Sequence, residues 1–455
     1  MSHIKKSLER QRSYFATGQT YDVSFRLEML KTLQKSIIAH ESEIFDALKK
    51  DLNKSPFEAY ETEVGITLQE LQYVIKHVRS WAKPERVKTP LLHFKSTSFI
   101  LSEPYGVVLI MSPWNYPLQL SIAPLIGSIA AGNCTLIKPS AYSPATSAVI
   151  AKIVRECFDE GFVAVIEGGR EANQALLKEK FDYIFFTGSV EVGKTVMAAA
   201  AENLTPVTLE LGGKSPCIVD CNTNLEITAR RIVWGKCLNA GQTCVAPDYL
   251  LVHKDVKNDL LNSMKKYIAE FYGQHPHKSE DLPKIINRKH FDRVKGLLNC
   301  GKTVVGGQYD EKTLKISPTI LDDVSWDEPV MQEEIFGPVL PVLEFDDLSQ
   351  VIETVNKRPK PLALYLFTTS KQTEKKILEN IPFGGGCIND TIVHLATSYM
   401  PFGGVGESGM GRYHGRWSFD TFSHKKSILK KSNLIDIKLR YPPYRDKLSL
   451  LKKMF

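Results

Sequence analysis

Thr208-Leu-Glu-Leu-Gly-Gly-Lys214, followed 34 residues after its glutamate by Cys244, is the stretch on which the reading of this 455-residue chain turns. Val207–Leu211 is an apolar run of buried-strand type, and Gly212 and Gly213 stop it. A carboxylate, Glu210, sits inside that run. Burial disfavours its charged form, so either a structural Lys or Arg partner or a chemical role must account for it. Beyond the glycines, Leu225, Ala229, Ile232, Val233 and Cys237 recur at helical spacing. That predicted helix runs out into Asn239-Ala-Gly-Gln-Thr-Cys244, where a thiol follows a glycine turn. A base at a strand end and a thiol on a nearby loop are the two parts that covalent catalysis needs.

Upstream, apolar strands at Val107–Met111, Cys134–Ile137, Val163–Ile166 and Tyr183–Phe186 alternate with helical stretches at Leu118–Ala130, Pro144–Glu160, Ala172–Glu179 and Val190–Ala201. This alternation predicts a parallel α/β sheet with helices on both faces and a ligand at the carboxyl ends of its strands. Residues 211–395 hold a second α/β series, with strands at Cys217–Val219, Tyr249–Val252, Thr303–Val305, Val339–Leu343 and Leu364–Phe367. Residues 1–80 read as helical. The proline-rich stretch Ala82–Pro90 and the strand-like run His93–Leu101 read as a hairpin that reaches out of its domain.

With 43% hydrophobic and 24% charged residues the composition is that of a soluble globular protein of two or three domains. No apolar run approaches the roughly 18 residues of a membrane span, and Met1-Ser-His-Ile-Lys-Lys carries no signal-peptide pattern. The eight cysteines include no Cys-x-x-Cys pair, which argues against a zinc site and for free thiols in a reducing cytosol. The net charge of +7 is localised: His424–Phe455 holds ten Lys/Arg against two Asp/Glu, leaving a body near neutrality. A neutral body with a basic tail does not read as a nucleic-acid binder. The tail also carries Ile428, Leu429, Leu434, Ile435, Ile437, Leu439, Leu448, Leu450 and Leu451. It reads first as a segment packing on a partner subunit, and second as a weak contact with anionic membranes.

Thr187-Gly-Ser-Val-Glu-Val-Gly-Lys-Thr195 follows a strand and opens a helix. Gly188-x-x-x-x-Gly193-Lys194-Thr195 matches the P-loop pattern letter for letter, which on its own implies a nucleotide hydrolase. Three strands precede it, however, whereas a P-loop usually follows the first strand of its sheet. Asn115, in Pro113-Trp-Asn-Tyr-Pro117, reads either as the cap of the following helix or as an amide donor to an oxyanion. Among the thiols, Cys134, Cys217 and Cys237 fall in apolar elements and read as core, whereas Cys244 follows Gly241, Gln242 and Thr243 on a loop.

Taken together, Leu209-Glu-Leu-Gly-Gly-Lys214, Gly241-Gln-Thr-Cys244, Pro113-Trp-Asn-Tyr-Pro117, Glu333-Glu-Ile-Phe-Gly-Pro338 and Pro401-Phe-Gly-Gly404 resemble the aldehyde dehydrogenase superfamily. The short N-terminus and Arg440-Tyr-Pro-Pro-Tyr444 resemble its class 3 branch, which includes the fatty aldehyde dehydrogenases. The resemblance implies an α/β fold with a Rossmann-like cofactor domain (1–80 and 103–210), an α/β catalytic domain (211–395) and a small β oligomerisation element with a C-terminal tail (81–102 and 396–455). It implies Cys244 as nucleophile, Glu210 as the base that activates the hydrolytic water, and Asn115 with the Cys244 N–H as oxyanion donors. It implies Lys138, Thr187, Gly188, Ser189, Gly193, Leu211, Glu334 and Phe336 as contacts for a nicotinamide cofactor, with no metal. Many relatives carry a ribose-binding Glu where this chain has Ala141, so NADP is expected beside NAD. A homodimer is expected. Trp114, Tyr116 and Leu118 suggest an apolar entrance, favouring medium or long aliphatic, or aromatic, aldehydes.

Overall fold

A computed structural model of the chain describes residues 2–436, 438–445 and 447–453. Two mainly parallel sheets organise the chain. In the first, five parallel strands stand in the order Val207–Glu210, Tyr183–Thr187, Val107–Met111, Cys134–Lys138, Val163–Val165. Val107–Met111 lies at the centre because all five of its residues are apolar and both of its faces are covered. From that strand the chain steps outward through 134–138 and 163–165, then returns to pair 183–187 on the other flank. The order therefore reverses between 107–111 and 183–187, and a crevice opens at their carboxyl ends. The loops carrying Asn115 and Thr187-Gly-Ser189 both leave from there.

The second sheet runs Lys302–Val305, Thr319–Asp322, Val339–Phe345, Tyr249–His253, Pro216–Val219, Ala363–Phe367, Gly385–Ile388, parallel except for the first. Its relevant ends are the amino ends: Cys244 precedes 249–253, and Glu334 and Phe336 precede 339–345. Carboxyl ends of one sheet thus meet amino ends of the other.

The predicted hairpin is present as Glu85–Val87 paired with Ser96–Pro104. Ser423–Lys431 adds antiparallel beside it to make a third sheet, separate from the other two. The chain beyond 395 does not all belong with that element. Gly409–Met410 pairs with Leu209 and Glu210 in the first sheet, and Phe419 and Phe422, in and just after the helix Arg416–Thr421, join its core. Among the described residues no helix is long and apolar enough to cross a membrane. Of the tail's apolar residues Leu434 is 93% exposed, and Ile435, Leu448, Leu450 and Leu451 are exposed too. Ile437 lies outside the described residues.

Candidate active site

A cleft of about 590 Å³ occupies the crevice between the sheets. Asn115, Thr187, Gly188, Ser189, Glu210, Leu211, Cys244, Glu334 and Phe336, nine of the residues singled out in the sequence, line it. On the other side of Cys244 lies a second cavity of about 150 Å³. Its walls are mostly apolar: Tyr116, Leu120, Trp234, Leu238, Ile392, Phe402 and Tyr413 among others. Cys244 borders both.

Glu210 ends its strand, with its carboxyl group buried and neither oxygen hydrogen-bonded among the described residues. Burial pushes its pKa well above the usual carboxylate range. The Gly188 N–H donates to the Glu210 carbonyl at 3.0 Å, tying the two strand ends together. Cys244 is half-buried, and its thiol is pushed up to about 12 by burial, with Glu334 and Glu210 adding to the effect. At rest it is therefore a thiol, with no cation among the described residues acting to ionise it.

Asn115 does not cap the helix after it. That helix, Gln119–Ala131, is capped by Glu63, whose Oε2 accepts the N–H groups of Leu118 at 3.0 Å and Gln119 at 2.9 Å. Asn115 is instead fixed beside the thiol loop, its Nδ2 donating to the Gln242 carbonyl at 3.0 Å. Its own carbonyl accepts from Lys54 Nζ at 3.2 Å and Asn239 Nδ2 at 2.8 Å. One amide hydrogen of Asn115 remains for an oxyanion.

Glu334 lies against Gly212, where any Cβ would overlap its carboxylate, so the first glycine of the Gly-Gly pair is a clearance for that side chain. Burial, then Asp248, pushes Glu334 up to about 8, against the pull of the Gly213 N–H, Lys214 and Arg293. Its loop is pinned from several sides: Lys214 Nζ donates to Val330 O and Glu333 O, Arg293 donates to the carbonyls of Glu334 and Ile335, and Asp248 accepts the Ile335 N–H. Phe336 adopts φ 48° and meets the Trp114 ring edge-on at 5.4 Å. Glu333, by contrast, is a surface carboxylate paired with Arg293.

Two expected cofactor contacts do not line the cleft. Lys138 ends its strand with Nζ donating to Pro139 O at 2.6 Å, and burial, opposed by Glu167, lowers it to about 8. Gly193 lies inside the helix Val190–Ala201 and faces Leu211, whose Cδ2 would stand 2.6 Å from a Cβ there. Its glycine serves close packing of helix on strand. The P-loop reading fails for the same reason. A P-loop needs an open loop before its Lys and Thr, but here the helix begins at Val190, so Lys194 and Thr195 sit within it. Lys194 pairs with Glu191 on the surface, and the Thr195 hydroxyl donates to the Glu191 carbonyl. Of the three residues expected at an apolar entrance only Tyr116 lines the second cavity; Trp114 faces the cleft and Leu118 is core.

The aldehyde dehydrogenase family profile matches residues 2–428. The chain is 50% identical to the 4,4'-diaponeurosporen-aldehyde dehydrogenase of Staphylococcus aureus, over all of both chains. It is 47% identical to aldehyde dehydrogenase family 3 member B1 of Bos taurus, over 98% of this chain and 95% of that one. A solved structure described as the substrate-bound state of Staphylococcus aureus AldH superposes with a TM-score of 0.98 at 50% identity, covering 99% of each chain. The chain belongs to the aldehyde dehydrogenase family, with class 3 relatives, and has that family's fold. It is an oxidoreductase acting on aldehydes, of a family that uses NAD(P), and nothing supports nucleotide hydrolysis.

Proposed function

We propose that this enzyme oxidises medium- and long-chain aliphatic or aromatic aldehydes to carboxylic acids with NAD or NADP, through a thioester on Cys244. The observation that carries the reading is the position of Cys244 between a large cleft of mixed polar and apolar lining and a smaller, almost wholly apolar cavity. A reacting carbon held there has a polar partner on one side and an apolar chain on the other.

The cleft suits a nicotinamide dinucleotide. Thr187 Oγ1 and Glu334 Oε1 are buried there without partners, and Ser189, at the N-cap of Val190–Ala201, makes no side-chain capping bond, leaving N–H groups for phosphate. Thr187, Gly188, Ser189, Leu211, Glu334 and Phe336 would hold it, with Lys138 at the adenosine end; once bound it supplies the hydride acceptor. Cys244 Sγ gives its proton to water in the cleft and adds to the carbonyl carbon, whose C=O π pair moves onto the oxygen. The Asn115 amide and the Cys244 N–H hold the oxyanion, and losing one such donor costs about 2.7–4 kcal/mol of barrier. Glu210, unpaired among the described residues and with its pKa raised by burial, takes a proton from the water that hydrolyses the thioester.

The test is a rate screen of alkanals from short to long, with either cofactor, read at the reduced-nicotinamide absorbance. ATP turnover without cofactor reduction, or preference for the shortest aldehydes, overturns the reading. Ala141 governs cofactor choice: Ala141→Glu should lower the NADP/NAD ratio of kcat/KM, and an unchanged ratio removes that residue from the account. The third sheet, with exposed Val87, Leu91 and Phe94, supports a homodimer, which sedimentation checks. The place of action is the cytoplasm. The exposed apolar and basic tail supports a weak membrane contact, tested by co-sedimentation with anionic liposomes with and without residues 440–455.

A further inference from the structure

Between the helix Leu225–Cys237 and Cys244 the chain turns through three consecutive left-handed residues: Asn239 (φ 51°), Ala240 (φ 52°) and Gly241 (φ 72°). Gly241 suits that region, and a Cβ there would overlap the Gly337 carbonyl. Asn239 tolerates that region better than most residues, but Ala240 adopts it against its preference, which persists only where the surroundings over-determine the backbone. The determining contact comes from a distant part of the chain. The Asn239 N–H donates to Glu58 Oε1 at 2.7 Å, and Glu58 is 7% exposed, in the short helix Pro56–Ala59.

Asn239 then spreads that restraint. Its Nδ2 donates to the carbonyls of Asn115 at 2.8 Å and Gln242 at 3.2 Å, and the Gln242 carbonyl also accepts from Asn115 Nδ2. One turn is thus bonded to the side chain of one oxyanion donor and continuous with the backbone of the other.

We propose that Glu58 is a positioning residue for Cys244, its carboxylate locking the left-handed turn so that the thiol and both oxyanion donors stay in register. The inference rests on the reading of Cys244 as nucleophile. Glu58 touches no reacting atom. Lys54, Glu61 and Glu63 face it from its own segment, and Tyr116, Cys237 and Tyr272 from others. Burial pushes Glu58 up to about 7, against the pull of Lys54 and the Asn239 N–H.

Two variants of the full chain test this. Glu58→Leu removes the acceptor; Glu58→Gln keeps an acceptor and removes the charge. Glu58→Leu should lower kcat on the order of 10²-fold, since misplacement of about 1 Å has that effect, with cofactor Kd unchanged within about twofold. Glu58→Gln, a neutral and weaker acceptor, should hold an intermediate kcat above that of Glu58→Leu. It should also lose a fall in kcat that the parent shows as pH drops through about 7. A Glu58→Leu enzyme within about threefold of the parent overturns the proposal, as does equal damage in both variants accompanied by weaker cofactor binding. Should Glu58→Leu not fold, an unaltered pH profile in Glu58→Gln overturns it alone. Cys244→Ala runs alongside: if it stays active the reading of the nucleophile has failed, whereas an inactive Cys244→Ala with a fully active Glu58→Leu refutes only the positioning role.

Discussion

Glu63 and Glu210 are both glutamates shut away from solvent, and the fold surrounds them in opposite ways. At Glu63 both oxygens are engaged: Oε1 by Lys54 Nζ at 2.8 Å, Oε2 by the N–H groups of Leu118 and Gln119. At Glu210 neither oxygen has a partner among the described residues. Burial raises both, but only Glu63 has Lys54 and backbone donors working against it. An unpaired buried carboxylate is costly, and such groups persist where something else needs them. The satisfied glutamate is scaffold: it caps a core helix and holds Lys54 against the Asn115 carbonyl and over the Tyr116 ring at 4.1 Å. The unsatisfied one lines the cleft that Cys244 also lines. Opposite treatment of one residue type separates the supporting region from the reacting one.

The contrast breaks most visibly at Cys244. If the unsatisfied region is where chemistry occurs, Cys244→Ala should lower aldehyde oxidation on the order of 10⁴-fold or more while the thermal midpoint stays near the parent's. Comparable activity in that variant would leave Glu210 an unexplained defect. Glu210→Gln comes next. Steady-state kcat should fall about 10²- to 10⁴-fold. A first turnover of reduced cofactor should survive, because attack by Cys244 precedes the step that needs the base. The pH sign follows from burial. It penalises the carboxylate, so the inactive protonated form persists to higher pH than for an ordinary glutamate, and parental kcat rises with pH through that point. The Gln variant should lose that rise and keep only the limb near about 7 that Glu58 sets, and a profile wholly unchanged from the parent's moves the base elsewhere. Glu63→Gln sharpens the opposite pole. It leaves the Lys54 ammonium, 1% exposed, without its counter-charge, at a cost of about 3–5 kcal/mol in denaturant unfolding. The folded fraction should stay more active than Glu210→Gln. An enzyme stable but inactive would reverse the assignment of the two regions.

The sequence marks the reacting pole and is nearly silent about the supporting one. Glu210 stands out as a charge in an apolar strand, and Cys244 as a thiol outside any apolar element; the structure brings both to one cleft. Helix Val190–Ala201 has the bounds its periodicity predicts. Glu63 and Glu58 carry no comparable mark. They act on Leu118, Gln119 and Asn239, 55, 56 and 181 residues away, and no local period encodes such a contact. Gly193 shows the reverse failure: its letters fit a phosphate loop, but its place one turn into a helix is set by packing against Leu211. The apolar cavity was partly legible, through Tyr116, because its other walls come from segments around 234–238 and 392–414 that only the fold assembles.

Glu334 gives the contrast its middle case and the smallest expected effect. Its Oε1 has no partner, while the Gly213 N–H favours its charged form; the balance leaves it at about 8. An unfolded glutamate titrates near about 4.3. Between those values the native state holds a proton that the unfolded chain has released, so the stability Glu334 contributes is full below about 4.3 and is lost as pH rises toward 8. Glu334→Gln is uncharged at every pH and should lack that decline. From about pH 6 to 9 the thermal midpoint of the cofactor-free parent should therefore fall further than that of the variant, by about 1–3 °C. Excess cofactor should flatten the parental decline if the unpartnered oxygen is the one a ribose hydroxyl takes, since that hydrogen bond favours the carboxylate. Parallel curves for parent and variant would place Glu334 beside Glu63 as scaffold, and the cleft would then hold a single carboxylate left open for chemistry.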